Sequence, residues 1–399
     1  MAKLGSIKRQ AGLIRKKSTI VDKVLAKIRG VIQGYTIRRE AAIYRNLGGK
    51  LRISPEMLSE ESQKAVLRKR LHSRGICWPI KKEAPHFVYA SLPTNWERHN
   101  IPPQLNKIGF CSCYYLTERR GYNTIEGQVA RREFTDSDLI QFLEELHAKK
   151  PVDIFVSYLS GAWLSASIIS RINKMGIVTM MMHFDDRLSF KGELIGDQWS
   201  GAASVAAAYD LSLTSADDSI IKYVVEGGRA VFWPEGANPE YFKPLNLPLK
   251  YGVSFVGSKY GRRTELVKFL AERRIEVNCF GSGWERGAVP DDEIPRIYAS
   301  SQINLGFGEI GYSSEQCLKG RDFEVPMCGA LYLTQENRYL KKVYDTEKEI
   351  VTYNSHADCF QKINALLNDP MRCKSIRDSA RLRALRDHTW VKRINDIMN

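Results

Sequence analysis

The stretch Lys-Gly-Arg-Asp-Phe-Glu-Val-Pro-Met-Cys-Gly-Ala-Leu-Tyr-Leu-Thr, residues 319–334, decides the fold of this chain. Two cations, Lys319 and Arg321, lead into a short helical segment with Glu324, and an apolar run follows a Cys-Gly pair. Such an apolar run is typical of a strand that helices cover on both faces. A carboxylate beside two cations suits a ligand with hydroxyls and phosphate, because the carboxylate accepts from hydroxyls and the cations neutralise phosphate. A structural ion pair is the alternative interpretation of the same three charges.

The alternation of strands and helices continues on both sides of this stretch. It predicts strands near the following residues: His86, Gly109, Val152, Ile177, Tyr209, Val231, Val253, Ile275, Ile303, Ala330 and Ile350. Several of these runs are apolar throughout, which favours parallel sheets with helices on both faces. Between the second and third strands the pattern predicts a helix that Asp136 or Ser137 caps.

The domain organisation follows from a break in this alternation. An aperiodic run with three prolines at 239–251 predicts a linker. We therefore expect the fold class α/β, with two Rossmann-like domains that face a cleft. The domains are 83–240 and 251–399, and the last helix is free to pack back on the first domain. Residues 1–82 are expected to form a basic, mainly helical N-terminal extension. Ligands of open α/β sheets bind beyond the carboxyl ends of the strands, so the cleft is the expected site.

The positive charge of the chain is concentrated in the extension. The whole sequence of 399 residues carries a net charge of +15. Residues 1–82 contain 21 Lys and Arg against five acidic residues, a net charge of +16, so the remainder is nearly neutral. Whatever the extension binds need not be the substrate of the two domains.

Apolar residues recur every seven residues in the extension, which predicts a helical stripe. One series is Leu4, Ala11, Ser18, Leu25 and Ile32, and the other is Ile7, Ile14, Val21, Ile28 and Tyr35. Three interpretations stay open: a helix on an anionic membrane surface, a helix packed on the body or on a partner subunit, and a solvated tail that binds polyanions. Few aromatic residues accompany the charges, which disfavours nucleic acid as the partner.

Apolar runs and cysteine spacing indicate where in the cell the protein is expected to be. No run approaches the roughly 18 apolar residues of a membrane span, and the start lacks the apolar core of a secretory signal. The eight cysteines include no C-x-x-C pair, so neither a disulfide framework nor a zinc ribbon is indicated. We expect a cytoplasmic protein, with peripheral contact at the inner face of the membrane as the alternative.

Two glycine-rich turns follow predicted strands of the second domain. The first contains Gly257 and three cations, and the second contains two glycines around a serine; together they contribute the candidate ligand-binding residues Gly257, Lys259, Arg262, Arg263, Gly281, Ser282 and Gly283. Backbone N–H groups at such turns, with arginine and lysine side chains, suit a diphosphate. Ordinary turns with solvated cations are the alternative.

Polar side chains at strand ends of the first domain are candidates for the reacting centre. His183, Asp185 and Asp186 follow a predicted strand and are expected to face the cleft. His99 follows the first strand, together with Trp96, and is a candidate base. A loop-capping aspartate pair and a surface turn are the alternatives. The adjacent aspartates match a metal-binding motif poorly, so no metal site is expected.

The second domain resembles the C-terminal domain of GT-B glycosyltransferases, and most closely the branch similar to spore maturation protein CgeB, related to glycosyltransferase family 4. The resemblance rests on Phe-Val-Gly at 255–257, Phe-Gly-Ser-Gly-Trp at 280–284, Lys-Gly-Arg-Asp-Phe-Glu-Val-Pro-Met-Cys-Gly-Ala at 319–330, Leu-Leu-Asn-Asp-Pro at 366–370 and Ala-Arg-Leu-Arg-Ala-Leu-Arg-Asp-His-Thr-Trp at 380–390. It covers about 300 residues with the looser first domain, where Met-His-Phe-Asp-Asp at 182–186 carries it.

The resemblance implies roles for single residues. Glu324 matches the second glutamate of the family's pair, which holds the ribose of the nucleotide donor. Arg262 or Arg263, with Lys319 or Arg321, lies where related enzymes place cations on the diphosphate. The candidates His183, Asp185 and Asp186 correspond to contacts with the transferred sugar or the acceptor. At the first glutamate of the pair the sequence departs from the family, because Gln316 stands eight positions before Glu324.

The resemblance also implies the reaction: transfer of a sugar from a UDP-, GDP- or ADP-linked donor to a hydroxyl of a glycan, a lipid-linked glycan or a protein. Retention of anomeric configuration, no metal and no tightly bound cofactor are expected. Two other classes stay open. One is a DNA glycosyltransferase or nucleic-acid binder that uses the extension, and the other is a non-catalytic sugar-nucleotide binder or assembly protein.

Overall fold

The computed structural model describes residues 2–92 and 97–399, with side chains from residue 25 onward. The apolar positions from Leu4 to Val21 therefore lie outside the described side chains, and Trp96 lies outside the described residues. The helices are α1 (Ala2–Lys50), α2 (Glu60–His72), α3 (Ile101–Leu105), α4 (Gln128–Lys149), α5 (Ala166–Lys174), α6 (Asp186–Ser189), α7 (Ile220–Val225), α8 (Arg263–Ala271), α9 (Glu293–Ala299), α10 (Arg321–Met327), α11 (Leu340–Val343), α12 (His356–Leu367), α13 (Pro370–Asp387) and α14 (Trp390–Met398).

Two parallel sheets form the centres of two α/β domains. The strands in chain order are β1 (His86–Ser91), β2 (Phe110–Tyr115), β3 (Ile154–Ser157), β4 (Val178–His183), β5 (Leu194–Ile195), β6 (Gln198–Trp199), β7 (Leu211–Thr214), β8 (Ala230–Phe232), β9 (Tyr251–Val256), β10 (Val277–Phe280), β11 (Ser301–Leu305), β12 (Tyr332–Gln335) and β13 (Val351–Tyr353). The first sheet has the order β2-β1-β3-β4-β7-β8 and the second β10-β9-β11-β12-β13. Strands β5 and β6 form a separate antiparallel hairpin. The predicted α/β fold with two Rossmann-like domains is confirmed.

Strands at the centre of each sheet are apolar because helices cover both of their faces. All six residues of β1 and all four residues of β3 and β7 are buried. In the second sheet three of four residues in the inner strand β12 are buried, and the edge strand β10 is also buried throughout. The carboxyl ends of these parallel strands open toward the region between the domains, which is where the ligand site is expected.

The second half of α1 packs on the body and contacts both domains. Its Gln33 accepts a hydrogen bond from the backbone N–H of Tyr312 in the second domain at 2.7 Å. Its Glu40 pairs with Lys222 of the first domain at 2.7 Å, and its Tyr44 is fully buried there. Of the three interpretations of the extension, the docked helix therefore describes the segment from Gln33 onward.

The hydroxyl of Tyr44 donates a hydrogen bond to Glu226 at 2.5 Å. Burial, together with this hydrogen bond to Glu226, raises the pKa of Tyr44 well above its usual value, so the phenol stays a donor. We expect Tyr44→Phe to lower the free energy of unfolding by about 1 kcal/mol, since one hydrogen bond is lost and the ring packing is kept. Chemical denaturation measures this change. Tyr35→Phe on the exposed face of the same helix is the control, and an equal loss there would contradict the docking role of Tyr44.

Part of the charge of the extension is neutralised inside the structure. Asp210 is fully buried and pairs with Arg70 at 2.8 Å and with Arg74 at 2.7 Å. Its second oxygen accepts from the backbone N–H of Thr179 at 2.9 Å. Two of the basic residues of the extension therefore hold α2 against the first sheet and are not displayed for a polyanion.

The predicted cap of α4 at Asp136 or Ser137 is wrong. The helix begins at Gln128, because tertiary contacts extend it toward its N-terminus. Within the additional turns, the buried Arg132 donates to the carbonyl of Gly161 at 3.3 Å and to that of Ile195 in the β5–β6 hairpin at 3.2 Å. Asp136 instead accepts from the backbone N–H of Ser165 at 3.0 Å.

The last helix returns to the first domain. Trp390 of α14 is fully buried, and its indole N–H donates to Asn100 at 2.7 Å. The indole N–H of Trp233 donates to the carbonyl of Arg393 at 2.8 Å. Through these hydrogen bonds α14 packs beside the segment that links the two domains.

Candidate functional site

A cavity of about 740 Å³ lies between the two domains. The first domain and its connecting segment line it with Tyr158, Phe184, Asp185 and Glu235. The second domain supplies the rest of the lining: Val256, Gly257, Ser258, Tyr260, Gly281, Ser282, Ala288, Val289, Ile294, Tyr298, Leu318, Lys319, Gly320, Arg321 and Glu324. Seven of the predicted ligand-binding and catalytic residues therefore line this cavity together: Asp185, Gly257, Gly281, Ser282, Lys319, Arg321 and Glu324.

The two glycine-rich turns run side by side at one end of this cavity. The backbone N–H of Gly257 donates to the carbonyl of Phe280 at 2.8 Å, and that of Lys259 donates to the carbonyl of Ser282 at 2.8 Å. Gly281 has a φ of +128°, and a Cβ there would lie 2.4 Å from the carbonyl oxygen of Gly257. Glycine is therefore required for the close approach of the two turns.

Arg321 reaches this end of the cavity from the start of α10. A Cβ on Gly257 would lie 2.9 Å from its Nη1 atom, so the glycine leaves room for the guanidinium. The guanidinium lies over the ring of Phe255, 5.0 Å from its centre. Among the described residues, its buried Nε and Nη2 atoms have no hydrogen-bond partner. A buried cation with unpartnered N–H groups is stabilised by an anion that enters the cavity.

Arg263 supports the first turn instead of facing the cavity. It donates to the carbonyl of Ser258 at 2.6 Å and to the hydroxyl of Tyr260 at 2.6 Å. Burial, and secondly the nearby charge of Arg321, lowers the pKa of Arg263 to about 10. Its side chain therefore shapes the backbone that a ligand meets.

Glu324 lies one turn further along α10, on the floor of the cavity. Its Oε2 atom accepts from the hydroxyl of Tyr298 at 3.0 Å. Burial raises the pKa of Glu324 to about 7. The neighbouring Asp322 accepts from the backbone N–H of Lys319 at 2.8 Å and from the hydroxyl of Tyr332 at 2.7 Å, which fixes the start of the helix.

Glu235 is a second buried carboxyl in the cavity, and sequence reasoning missed it. It is 9% exposed and follows β8, on the segment that connects the two domains. A Cβ on Gly320 would lie 2.9 Å from its Oε2 atom and 3.1 Å from Oε1 of Glu324. The two carboxyl oxygens are therefore within 6.0 Å of each other, the sum of those distances. Burial, followed by the charge of Glu324, raises the pKa of Glu235 to about 8.

The three polar candidates at the end of β4 separate in the structure. Asp185 is exposed and lines the cavity. Asp186 is fully buried away from it and accepts from the hydroxyl of Tyr223 at 3.0 Å. His183 is not part of the lining either; burial lowers its pKa, so the imidazole is neutral at pH 7. Only Asp185 of the three can contact a ligand in the cavity directly.

Four other candidates lie outside the lining. Arg262 pairs with Glu309 at 3.2 Å and borders a separate cavity of about 450 Å³. His99 is exposed and stacks on Tyr241, with ring centres 4.8 Å apart. Lys259 lies over the ring of Trp284, and Gly283 packs against Lys259.

Gln316, the position at which the resemblance implies a first glutamate, also lies outside the cavity. Gln316 contributes its backbone carbonyl, which accepts from Arg187. The adjacent Glu315 pairs with Arg38 of α1 at 2.9 Å and with Arg187 at 3.0 Å. Neither side chain lines the cavity. The departure seen in the sequence therefore corresponds to a segment that connects α1 with both domains.

Among residues 25–92 and 97–399, no three His, Cys, Asp or Glu side chains are grouped as metal ligands would be. Within the same part of the chain, no helix has the length and apolar character that crossing a bilayer requires.

Comparisons with known proteins agree with this architecture. Residues 262–399 match the family described as Glycosyl transferase-like. The chain is similar in structure to sucrose-phosphate synthase from Thermosynechococcus elongatus, with 12% identity and a TM-score of 0.54 over 79% of this chain and 96% of that one. A glycosyltransferase from Rickettsia africae gives 11% identity and a TM-score of 0.54, over 79% and 97% of the two chains.

Anabaena HepE, solved in complex with UDP and glucose, gives 10% identity and a TM-score of 0.53 over 78% of this chain and 98% of that one. A comparison with curated proteins found no match. The fold is thus the GT-B fold of two Rossmann-like domains. The family match lies in the second domain and supports glycosyl transfer as the general chemistry.

Proposed function

We propose that the protein transfers a sugar from a nucleoside diphosphate sugar to an acceptor hydroxyl in the cavity between its two domains. The observation that carries this proposal is Arg321, whose unpartnered guanidinium adjoins two glycine turns within the domain that matches the glycosyl transferase-like family. The same cavity contains Lys319 and Glu324. Cations and backbone N–H groups bind a diphosphate, and carboxyl groups bind the hydroxyls of a ribose and a sugar.

The second domain would hold the donor. Arg321 and Lys319 would neutralise the diphosphate, and Glu324 would accept from the ribose hydroxyls. The N–H groups of Gly257 and Gly281 donate to carbonyls within the turns, so the following residues, Ser258 and Ser282, would offer backbone N–H groups to the diphosphate. UDP is the nucleotide we propose, because the similar structure of HepE was solved with UDP and with UDP-glucose. GDP and ADP remain alternatives for the test.

The reaction needs the leaving diphosphate to be stabilised as its charge develops. In the arrangement proposed, fixed cations and backbone dipoles supply this stabilisation, and no metal is required.

We propose retention of configuration, in keeping with the resemblance to family 4 and the CgeB-like branch. Asp185 lines the cavity from the first domain and in this proposal would contact the acceptor hydroxyl, which a glycan, a lipid-linked glycan or a protein would supply. Closure of the domains would exclude water, which otherwise hydrolyses the donor.

A thermal-shift screen tests the proposal. The full chain is heated with UDP, GDP, ADP, CMP or dTDP and their common sugar conjugates, in the presence of EDTA. A ligand that binds only the folded protein raises the unfolding temperature, so one nucleotide family should give a selective shift. Release of nucleotide from the sugar conjugate, with glycan, lipid-linked glycan or protein added as acceptor, then measures turnover. Binding without turnover would favour a non-catalytic sugar-nucleotide binder, and no shift with any nucleotide would contradict the proposal.

Glu324→Ala tests the ribose contact. We expect the affinity for UDP to fall roughly tenfold, because a carboxylate that accepts from hydroxyls is lost. The preference of the protein for UDP over 2′-deoxy-UDP should disappear in this variant, while the unfolding temperature without ligand stays the same. Isothermal titration measures both affinities. Glu309→Ala, at a part of the domain outside the cavity, is the matched control; an undiminished preference for UDP in Glu324→Ala would remove Glu324 from the ribose site.

A further inference from the structure

The part of α1 between residues 25 and 35 presents a row of exposed apolar side chains. The exposed fractions are 46% for Leu25, 48% for Ile28, 70% for Val31, 60% for Ile32 and 59% for Tyr35. We call these five residues the outer face of α1. Together they form an apolar surface on a helix, which soluble proteins seldom leave uncovered without a partner.

The outer face points away from the rest of the protein. With about 100° of rotation per residue, its five side chains lie within about 120° of the helix circumference. The residues that contact the body lie on the opposite side. Gln33 accepts from Tyr312, Ile37 is 3% exposed, and a Cβ on Gly30 would lie 2.3 Å from the carbonyl oxygen of Tyr312. The helix is therefore fixed to the body by one side and displays the other.

Basic residues flank the outer face. Lys27 and Arg29 are exposed and lie about 40° beyond its two edges, and the exposed Arg39 lies within it. No acidic residue occurs between Leu25 and Arg39. The result is an apolar centre between two cationic borders, the pattern of helices that lie in the surface of a bilayer.

We propose that the outer face of α1 binds the surface of an anionic lipid bilayer. The five apolar side chains would enter the boundary between headgroups and acyl chains, and the flanking cations would contact the anionic headgroups. The positive charge beside the outer face argues against a second copy of the chain as its partner. In a dimer through this face, the basic borders of two helices would meet and repel. A nucleic acid would pair with the cations and leave the apolar centre in water.

Sedimentation with lipid vesicles tests the proposal on the full chain. We expect binding to phosphatidylcholine vesicles that contain about 30% phosphatidylglycerol, and little binding to phosphatidylcholine alone. The double variant Ile28→Ser/Ile32→Ser should lower the partition into anionic vesicles about tenfold or more, since two apolar side chains no longer enter the bilayer. Leu382→Ser, at a position of α13 that is 69% exposed, is the matched control and should bind as the original protein does.

The unfolding temperature of each variant checks that the fold is kept, which is expected because both isoleucines are exposed. Equal binding to neutral and anionic vesicles, or no binding to either, would overturn the proposal. So would a double variant that binds anionic vesicles as tightly as the original chain, because charge alone would then explain the contact. A dimer that the double variant dissociates, without any lipid binding, would assign the outer face to a second copy. All of these outcomes are independent of nucleotide binding.

Discussion

Arg321→Ala is expected to lower the affinity for the nucleoside diphosphate about 100-fold or more. The guanidinium is buried at the cavity wall, and its Nε and Nη2 atoms lack partners among the described residues. Charge-assisted hydrogen bonds of such a group to a diphosphate are strong because water does not compete with them. The same contact stabilises the departing diphosphate, so we expect turnover at saturating donor to fall by a further factor of about 100.

Isothermal titration with UDP and a turnover assay measure the two losses. The ligand-free variant should unfold at the same temperature as the original chain or higher, since an unpaired buried cation is removed. Arg262→Ala is the matched control, because Arg262 precedes helix α8 of the same domain but pairs with Glu309 outside the cavity. Equal losses in the two variants would show a general effect of positive charge, and unchanged affinity in Arg321→Ala would exclude Arg321 from the diphosphate site.

This contrast between two arginines shows what the sequence can and cannot predict about the site. Each directly follows a glycine, and the resemblance assigns both to the diphosphate. The fold separates them, because Arg262 turns toward Glu309 while Arg321 enters the cavity beside Gly257. Glycine turns and apolar strands depend on short-range geometry and were predicted correctly. The direction of a long side chain depends on partners that are distant in sequence.

Glu235 illustrates the same limit, because no motif in the sequence singles it out. It is 89 positions from Glu324 in the sequence, in a segment without periodicity, and only the fold brings the two carboxyl groups together. One signal was available, because Glu235 stands three residues after Phe232 at the carboxyl end of β8. Ligand contacts concentrate at such strand ends. Burial distinguishes this glutamate from an exposed loop residue, but the sequence does not predict that burial.

We propose Glu235 as a residue that contacts the donor sugar, in the role that the resemblance implies for a first glutamate, at whose position this chain has Gln316. Its carboxyl faces the cavity beside Glu324 and Lys319, and its pKa of about 8 keeps it protonated at pH 7. A neutral carboxyl both donates and accepts, so it can bind a sugar hydroxyl without repelling the adjacent diphosphate. Glu235→Ala should therefore lower transfer about 100-fold, whereas Glu235→Gln, which also donates and accepts, should retain activity within about tenfold.

The pH dependence separates this role from simple packing. As the pH rises through about 8, Glu235 ionises and its charge opposes the diphosphate, so transfer by the original chain should decline. The Gln variant has no proton to lose there and should not show that decline. If Glu235→Gln were as inactive as Glu235→Ala at pH 7, the ionised carboxylate would be the required form. If Glu235→Ala kept full activity, Glu235 would have no part in donor binding.

The same raised pKa predicts that the stability of the original chain also falls as the pH rises. The carboxyl of Glu235 has a pKa of about 8 in the folded protein, against its ordinary value of 4.5 in an unfolded chain, so the folded state holds the proton more tightly. The stability that this proton confers is complete below pH 4.5 and is lost as the pH rises to about 8. Because glutamine undergoes no such change, Glu235→Gln should gain in free energy of unfolding relative to the original chain across that range. Chemical denaturation at pH 5 and pH 8.5 measures the gain, and an equal difference at both values would show that Glu235 ionises as freely in the folded protein as in the unfolded chain.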